Sequence, residues 1–210
     1  GVAGISIIDM GSVLYREDII ALSYANRLSF GKNKVLYGIN LKYLSKAYGS
    51  NAYTRIDPSF ANKMDSSGLG IDTGLLYSGF VRNFNLAVVG RNVNSPNIGI
   101  KKNDYVPAEY RLGLGYKTAK FAVDIDGVWM TNANNDRRIL CGSELWLLKH
   151  TAGLRAGVGF GTNEYYNLSA GFSARFGIGM IDSIIDYSFN YNPVALIGAG
   201  NHNISLSFKF

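Results

Sequence analysis

The chain has 210 residues, a net charge of +6 at pH 7 and a 47% share of hydrophobic residues. It contains no run of about 18 consecutive apolar residues, which excludes a transmembrane helix. Its Lys and Arg residues are scattered along the sequence, which argues against nucleic acid as a partner, and the single Cys141 excludes an internal disulfide and a cysteine metal cluster.

No Pro/Ser-rich linker and no block of charge divides the sequence, so residues 1–210 are expected to form a single domain. Gly residues number 25, and Tyr and Phe are also abundant, which suits β-sheet with tight turns. The chain opens inside a strand-like pattern at Val2. We therefore expect an N-terminal segment to precede it.

Apolar and polar residues alternate in about twelve segments, which predicts a β-strand in each. In chain order the predicted strands are Val2–Asp9, Ile19–Ser29, Lys34–Lys46, Gly68–Tyr77, Asn83–Arg91, Glu109–Lys117, Lys120–Met130, Arg138–Leu148, Thr151–Phe160, Glu164–Phe176, Met180–Tyr191 and His202–Phe210.

The last strand shows the alternation without exception. Ile204, Leu206, Phe208 and Phe210 are apolar, and the residues between them are polar. A strand that crosses a membrane needs roughly 9–11 residues, whereas strands of soluble proteins cluster near about 5–6. The length and the two unlike faces predict an all-β, transmembrane, antiparallel up-and-down β-barrel.

The predicted connections alternate in length. Polar links, nearly all of them long, are expected at Met10–Asp18, Ala47–Ser67, Asn92–Ala108, Thr131–Arg137, Gly161–Asn163 and Asn192–Asn201, with tight turns between them. Outer-membrane barrels have this arrangement, with long extracellular loops and short periplasmic turns. Within the longest link, Asp57 and Pro58 start a pattern that predicts a capped helical turn reaching Met64.

Charged residues lie on the face opposite the apolar rows. A charge on the lipid side costs about 2–4 kcal/mol at mid-depth, so these side chains are expected to point into the lumen. We predict a ladder of lumen charges formed by Asp72, Arg111, Asp124, Asp126, Glu144, Arg155, Arg175, Asp186 and Lys209. The ladder either stabilises the wall or selects a solute.

Neighbouring strands in this ladder carry complementary charges, which favours cross-strand pairing. We expect Arg111 beside Asp124 and Asp126, and Glu144 beside Arg155. Arg175 is expected beside Asp186, which in turn lies next to Lys209.

Residues suited to catalysis do not converge. His150 and His202 are predicted at opposite ends of the barrel, and Asp124 and Asp126 fit a paired wall better than an acid/base couple. Residues 157–161 are rich in glycine but precede no helix, so they form no phosphate cradle. The sequence therefore predicts no catalytic, metal or cofactor site and no enzymatic activity.

Several strand segments resemble the PorV/PorQ-type outer-membrane proteins, relatives of the FadL-like barrels. They include Tyr37–Leu44, Gly70–Tyr77, Leu86–Asn92, Pro107–Tyr116 and Ile204–Phe208. The resemblance implies a barrel of about 14 strands in the full protein, two of them upstream of this chain. It also implies that Phe210, Phe208 and Leu206 form the signal for membrane insertion.

The resulting hypothesis is a bacterial outer-membrane barrel that serves transport or secretion, with the lipid bilayer around it. Its partners would be a hydrophobic small solute, or a secretion or envelope protein bound at the long loops. The alternative is a structural barrel that anchors these loops for a protein partner. A soluble all-β sandwich is a further alternative, which would bury the Leu and Phe rows between two sheets.

Overall fold

A computed structural model of the chain describes residues 1–50, 54, 56, 64–131, 135–178, 181–192 and 200–209, and of residues 149, 178, 181 and 209 it describes the backbone alone. The capped helical turn predicted at 57–64 and the terminal Phe210 lie almost entirely outside these residues. In the described part of the chain, no helix has the length and apolar character needed to cross a bilayer.

Within the described residues, twelve strands form one sheet in which the spatial order follows the chain order. The strands are β1 (Val2–Gly11), β2 (Tyr15–Phe30), β3 (Asn33–Tyr48), β4 (Asp65–Ser78), β5 (Phe84–Arg91), β6 (Glu109–Lys117), β7 (Phe121–Met130), β8 (Arg137–Leu147), β9 (Ala152–Gly161), β10 (Tyr166–Ile178), β11 (Ile181–Tyr191) and β12 (Asn201–Lys209). A 3-10 turn at Leu148–His150 links β8 to β9. The predicted all-β, up-and-down topology is confirmed.

Predicted and observed strands correspond one to one, and the bounds of β6 agree at both ends. The predicted long link Met10–Asp18 is wrong, because β1 and β2 continue to a short connection at residues 12–14. Arg16 explains the extension: its guanidinium lies 2.6 Å from Asp9 and 3.0 Å from Asp18, which face each other across the two strands. The Arg16 charge offsets the repulsion between the two carboxylates.

The connections at residues 49–64, 92–108 and 192–200 are long, as predicted. The connections at residues 131–136 and 162–165 have six and four residues, close to the seven and three that the sequence predicted. At 162–165, the Tyr165 N–H donates to the carbonyl of Thr162, which closes a tight turn.

The chain divides into two compact units. The first unit comprises Gly1–Tyr77, Val88–Tyr110 and Met130–Ala133, and the second comprises Ser78–Ala87, Arg111–Trp129 and Asn134–Phe210. Each unit has one sheet face on which apolar residues alternate along the strands, and we call it the apolar face. The other is called the polar face.

Burial on these faces is the reverse of that in a soluble protein. In β10 the apolar Phe172 is 49% exposed, while the adjacent Ser173, on the polar face, is 2% exposed. In β12 all the described side chains are exposed, and Leu206 and Phe208 are both more than half exposed. Period-two side-chain direction places these two residues on one face.

Candidate functional site on the polar face

A network of charges lies on the polar face of the second unit and centres on Arg155 of β9. The Nε atom of Arg155 lies 2.8 Å from Oε2 of Glu144, and its Nη1 atom lies 2.9 Å from Oδ1 of Asp186. Glu144 is on the neighbouring strand β8, directly opposite Arg155. One guanidinium therefore binds two carboxylates through separate nitrogens, a geometry that Lys does not offer.

Further side chains complete this network. The Trp146 indole N–H donates to Glu144 Oε1 at 2.6 Å. The hydroxyl groups of Ser173 on β10 and Ser205 on β12 donate to the two oxygens of Asp186. In addition to β9, the strands β8, β10, β11 and β12 thus contribute to one set of hydrogen bonds, which we call the Arg155 network.

Arg175 does not occupy the place that the sequence predicted for it. Asp186 was expected to pair with Arg175, but its ion pair is with Arg155. The Arg175 guanidinium instead lies 5.0 Å from the centre of the Trp146 ring, in a cation–π contact. The register explains the difference, because Ser173 stands opposite Asp186 and Arg175 stands opposite Ile184.

A cavity of about 420 Å³ lies beside the Arg155 network, within the second unit. Asp124 and Asp126 of β7 line it together with Glu144 and Arg155. Its remaining polar lining comes from Ser143, Tyr165, Asn167, Ser169, Ser188 and Asn190. The wall between these side chains consists largely of small residues, which include Gly142, Gly157, Gly159 and Gly171.

Neighbouring side chains leave little room for a Cβ atom at the glycines of the cavity wall. A Cβ at Gly157 would lie 2.6 Å from Ser169 Oγ, and a Cβ at Gly142 would lie 3.0 Å from a carboxylate oxygen of Asp124. Larger residues at these positions would displace those groups and enter the cavity. The glycines therefore create the space next to the aspartates.

The first unit has its own charge cluster around Asp72 of β4. Lys42 Nζ lies 2.7 Å from Oδ1 of Asp72, and both side chains are less than a fifth exposed. The Asn92 backbone N–H and the Asn40 amide also donate to Asp72, at 2.8 and 3.0 Å. The carboxylate is thus fully hydrogen-bonded, and its charge is balanced by Lys42.

Some members of the predicted ladder have fewer described contacts. Arg111 lies on β6, two residues before Gly113, where an added Cβ would meet the carboxylate of Asp126. The backbone of Lys209 pairs with Asp182, but its side chain, like Phe210, lies outside the described residues. It stays a prediction that the ladder lines the lumen. The insertion signal formed by Leu206, Phe208 and Phe210 also stays a prediction.

Three residues that bind carboxylates of the predicted ladder are not themselves members of it. Lys42, Asn92 and Trp146 make direct contacts with its carboxylates. The sequence does place Lys42 on the polar side of an alternating strand, although not in the predicted ladder. Asn92 follows β5 with a left-handed backbone (φ 48°), which the strand pattern does not indicate.

No metal-binding arrangement of His, Cys, Asp and Glu occurs among the residues that the structure describes. His202 contacts the Tyr187 hydroxyl through Nδ1 at 2.8 Å, and His150 packs near the Trp146 ring. Neither contact provides the nucleophile, base and orienting group that a hydrolase requires.

The comparison with known families identifies the chain. The model of a family described as "F plasmid transfer operon, TraF, protein" matches residues 5–127. The chain belongs to this family. No protein of curated function matches this TraF-family chain in sequence.

Solved structures share the fold of the TraF-family chain. The CymD monoaromatic hydrocarbon channel matches with a TM-score of 0.60 and 14% sequence identity, over 98% of this chain and 76% of that one. The COG4313 outer membrane channel from Pseudomonas putida F1 has a TM-score of 0.46 and 12% identity, over 92% of this chain and 82% of that one. The likeness to CymD confirms the predicted fold class.

The same likeness supports the predicted location in the bacterial outer membrane. The expectation that the TraF-family chain is not an enzyme stays a prediction. The narrower resemblance to the PorV branch stays a prediction.

Proposed function

We propose that this chain is a bacterial outer-membrane protein that lets small solutes pass along its polar face. The reversed burial of the two faces carries the proposal. On β10 Leu168 and Phe172 are exposed, while the polar residues beside them, Asn167, Ser169 and Ser173, are half-buried or buried. Lipid on one side and water on the other produce this pattern in membrane barrels.

The extent of the exposed apolar surface argues against a protein surrounded by water. On β1 and β2 alone, Ile5, Ile7 and Leu22 are each more than half exposed. Soluble monomers rarely expose contiguous apolar patches of more than a few hundred Å². The soluble sandwich considered from the sequence would have buried these rows.

Two classes of solute compete within this proposal. The name of CymD refers to monoaromatic hydrocarbons, and a small hydrophobic solute was also expected from the sequence. The cavity of the second unit is lined by carboxylates, amides and hydroxyl groups, which favours a solute that forms hydrogen bonds. A flux assay that includes both classes distinguishes them.

Liposome flux is the direct test. The chain is reconstituted from detergent, and entry of a small polar solute and of toluene into vesicles is measured against vesicles without protein. We expect faster entry only with folded protein, recognised by a change in gel migration on boiling. Vesicles that stay sealed to both solutes would overturn the channel proposal.

The second candidate function is a barrel that anchors its loops for a secretion or envelope protein, as in the PorV branch. The loop at 92–108 favours it, because this loop is held in a defined shape. The Asn97 side chain accepts from the Gly99 and Asp104 N–H groups at 2.9 Å, and Lys46 of β3 pairs with Asp104.

Cross-linking from the loop tests this alternative. A photoreactive residue at the exposed Lys102 should capture one defined envelope protein in cells. Capture by a barrel that is sealed to solutes would favour anchoring over transport.

A further inference from the structure

The polar face of the second unit divides into two regions with different hydrogen bonding. In the Arg155 network, every charged side chain is bound to another side chain of the chain itself. The cavity region differs. In the part of the chain that the structure describes, Asp124 and Asp126 have no hydrogen bond and no ion pair through their carboxylates.

Four amide and hydroxyl side chains of the cavity likewise have no described partner, whereas the Ser143 hydroxyl donates to the carbonyl of Ala156. Asn167, Ser169, Ser188 and Asn190 line the cavity, and none of their side chains bonds to another described residue. Polar groups in a half-buried wall require partners, and here the cavity is where those partners can be. The cavity therefore presents donors and acceptors that the fold does not use.

The shape of the cavity suits a small molecule. Its volume of about 420 Å³ lies within the range of roughly 300–1,000 Å³ that is common for ligand pockets. Gly142 and Gly157 leave the wall beside Asp124 free of side chains. A solute can therefore approach the backbone closely at the level of the carboxylates.

The charge of the cavity is negative. Arg155 is its one cationic lining residue among those described, and Glu144 and Asp186 already balance that charge. The carboxylates of Asp124 and Asp126 remain uncompensated within the lining. Carboxylates at a constriction favour cations over anions.

We propose that this cavity binds a small ammonium-bearing solute, with the ammonium group at Asp124 and Asp126 and hydrogen-bonding groups at Asn167 and Asn190. The inference rests on the proposed function and names the class of solute for its path. A hydrocarbon would leave these polar groups unpaired, and an anion would meet two carboxylates. An ammonium ion bearing a hydroxyl group satisfies both parts of the lining.

Binding is measured separately from passage. Ethanolammonium chloride is titrated into the detergent-solubilised chain and followed by saturation-transfer NMR, with toluene and acetate as comparison probes. We expect ethanolammonium to bind and acetate not to bind. The Asp124→Asn/Asp126→Asn variant should bind ethanolammonium about tenfold more weakly, because two favourable charge contacts of ordinary strength are lost.

The matched control is Glu164→Gln/Asp182→Asn, which removes two negative charges of the same unit outside the cavity lining. It should bind ethanolammonium as the unchanged chain does. Both variants are first checked for the boiling-dependent change in gel migration, and Asp126→Asn alone replaces the double variant if the latter does not fold.

The possible results separate the two proposals. Binding that is absent, or equal in the aspartate variant and the unchanged chain, overturns this inference even if vesicles admit solutes. Preferential binding of toluene or acetate also overturns it. Binding to a chain that leaves vesicles sealed supports the cavity assignment and overturns the channel proposal.

Discussion

Arg155 Nη1 lies 2.9 Å from Asp186 Oδ1, although β10 separates the strands that carry the two residues. The side chain of Arg155 reaches across β10 at Gly171, which stands directly opposite Arg155 and has no side chain to obstruct it. The same guanidinium also binds Glu144 on β8. Arg155 therefore ties together strands that share no backbone hydrogen bonds.

Replacing Arg155 by Ala should lower the free energy of unfolding by about 1–2 kcal/mol. The change leaves Glu144 and Asp186 without their shared cation, and partial solvent exposure of Arg155 keeps the cost below that of a fully buried pair. Urea unfolding in lipid vesicles, followed by Trp fluorescence, measures the effect. Arg82→Ala, in an exposed turn, should change the free energy of unfolding by less than about 0.5 kcal/mol.

The two faces of β12 provide a test of the surroundings of the sheet. Leu206→Lys places a charge among exposed apolar residues and should lower stability by about 2–4 kcal/mol if lipid covers this face. Ser205→Lys places the same charge on the polar face next to Asp186 and should be nearly neutral. Urea titration of both variants in vesicles gives the comparison. Equal costs at the two positions would contradict the assignment of the faces.

The positions of the strands were predictable from sequence because two different media act on every strand. Glu109–Lys117 shows this, since the alternation alone gave both ends of β6. The predicted start of β2 is wrong at Arg16–Asp18, because charged residues occupy both faces of the strand there. The alternation of apolar and polar residues ends there, but the backbone pairing of β1 with β2 continues to Gly11 and Arg16.

The candidate site was predictable only in part. The sequence placed Glu144 and Arg155 on one face of neighbouring strands, and alternation is sufficient for that. The choice between Arg155 and Arg175 as partner of Asp186 depends on register across three strands, which composition does not encode. The cavity depends on glycines that leave space in its wall. Their effect can be recognised only when the positions of the neighbouring Ser169 and Asp124 are known.

Lys42→Met should lower the free energy of unfolding by about 1–3 kcal/mol, because the largely buried Asp72 side chain loses its only described cation. In the double variant Lys42→Met/Asp72→Asn the cost should be less than the sum of the single costs, since no unpaired charge remains. Chemical unfolding of all three variants gives the coupling energy. Lys34→Met, an exposed position on the same strand, is the control. Strict additivity would show that the two charges do not interact.

Gly157→Val should reduce solute flux by roughly half or more, because its side chain would enter the cavity that the proposed path includes. The new Cβ would lie 2.6 Å from Ser169 Oγ, a hydroxyl that can rotate away, so the protein should still fold. Gly177→Val on β10 is the matched control, since an added Cβ there meets nothing within 4 Å. Flux of ethanolammonium into vesicles is measured at equal amounts of folded protein. Unchanged flux in Gly157→Val would place the solute path elsewhere, whereas an equal loss in both variants would point to a general effect of Val substitution on assembly.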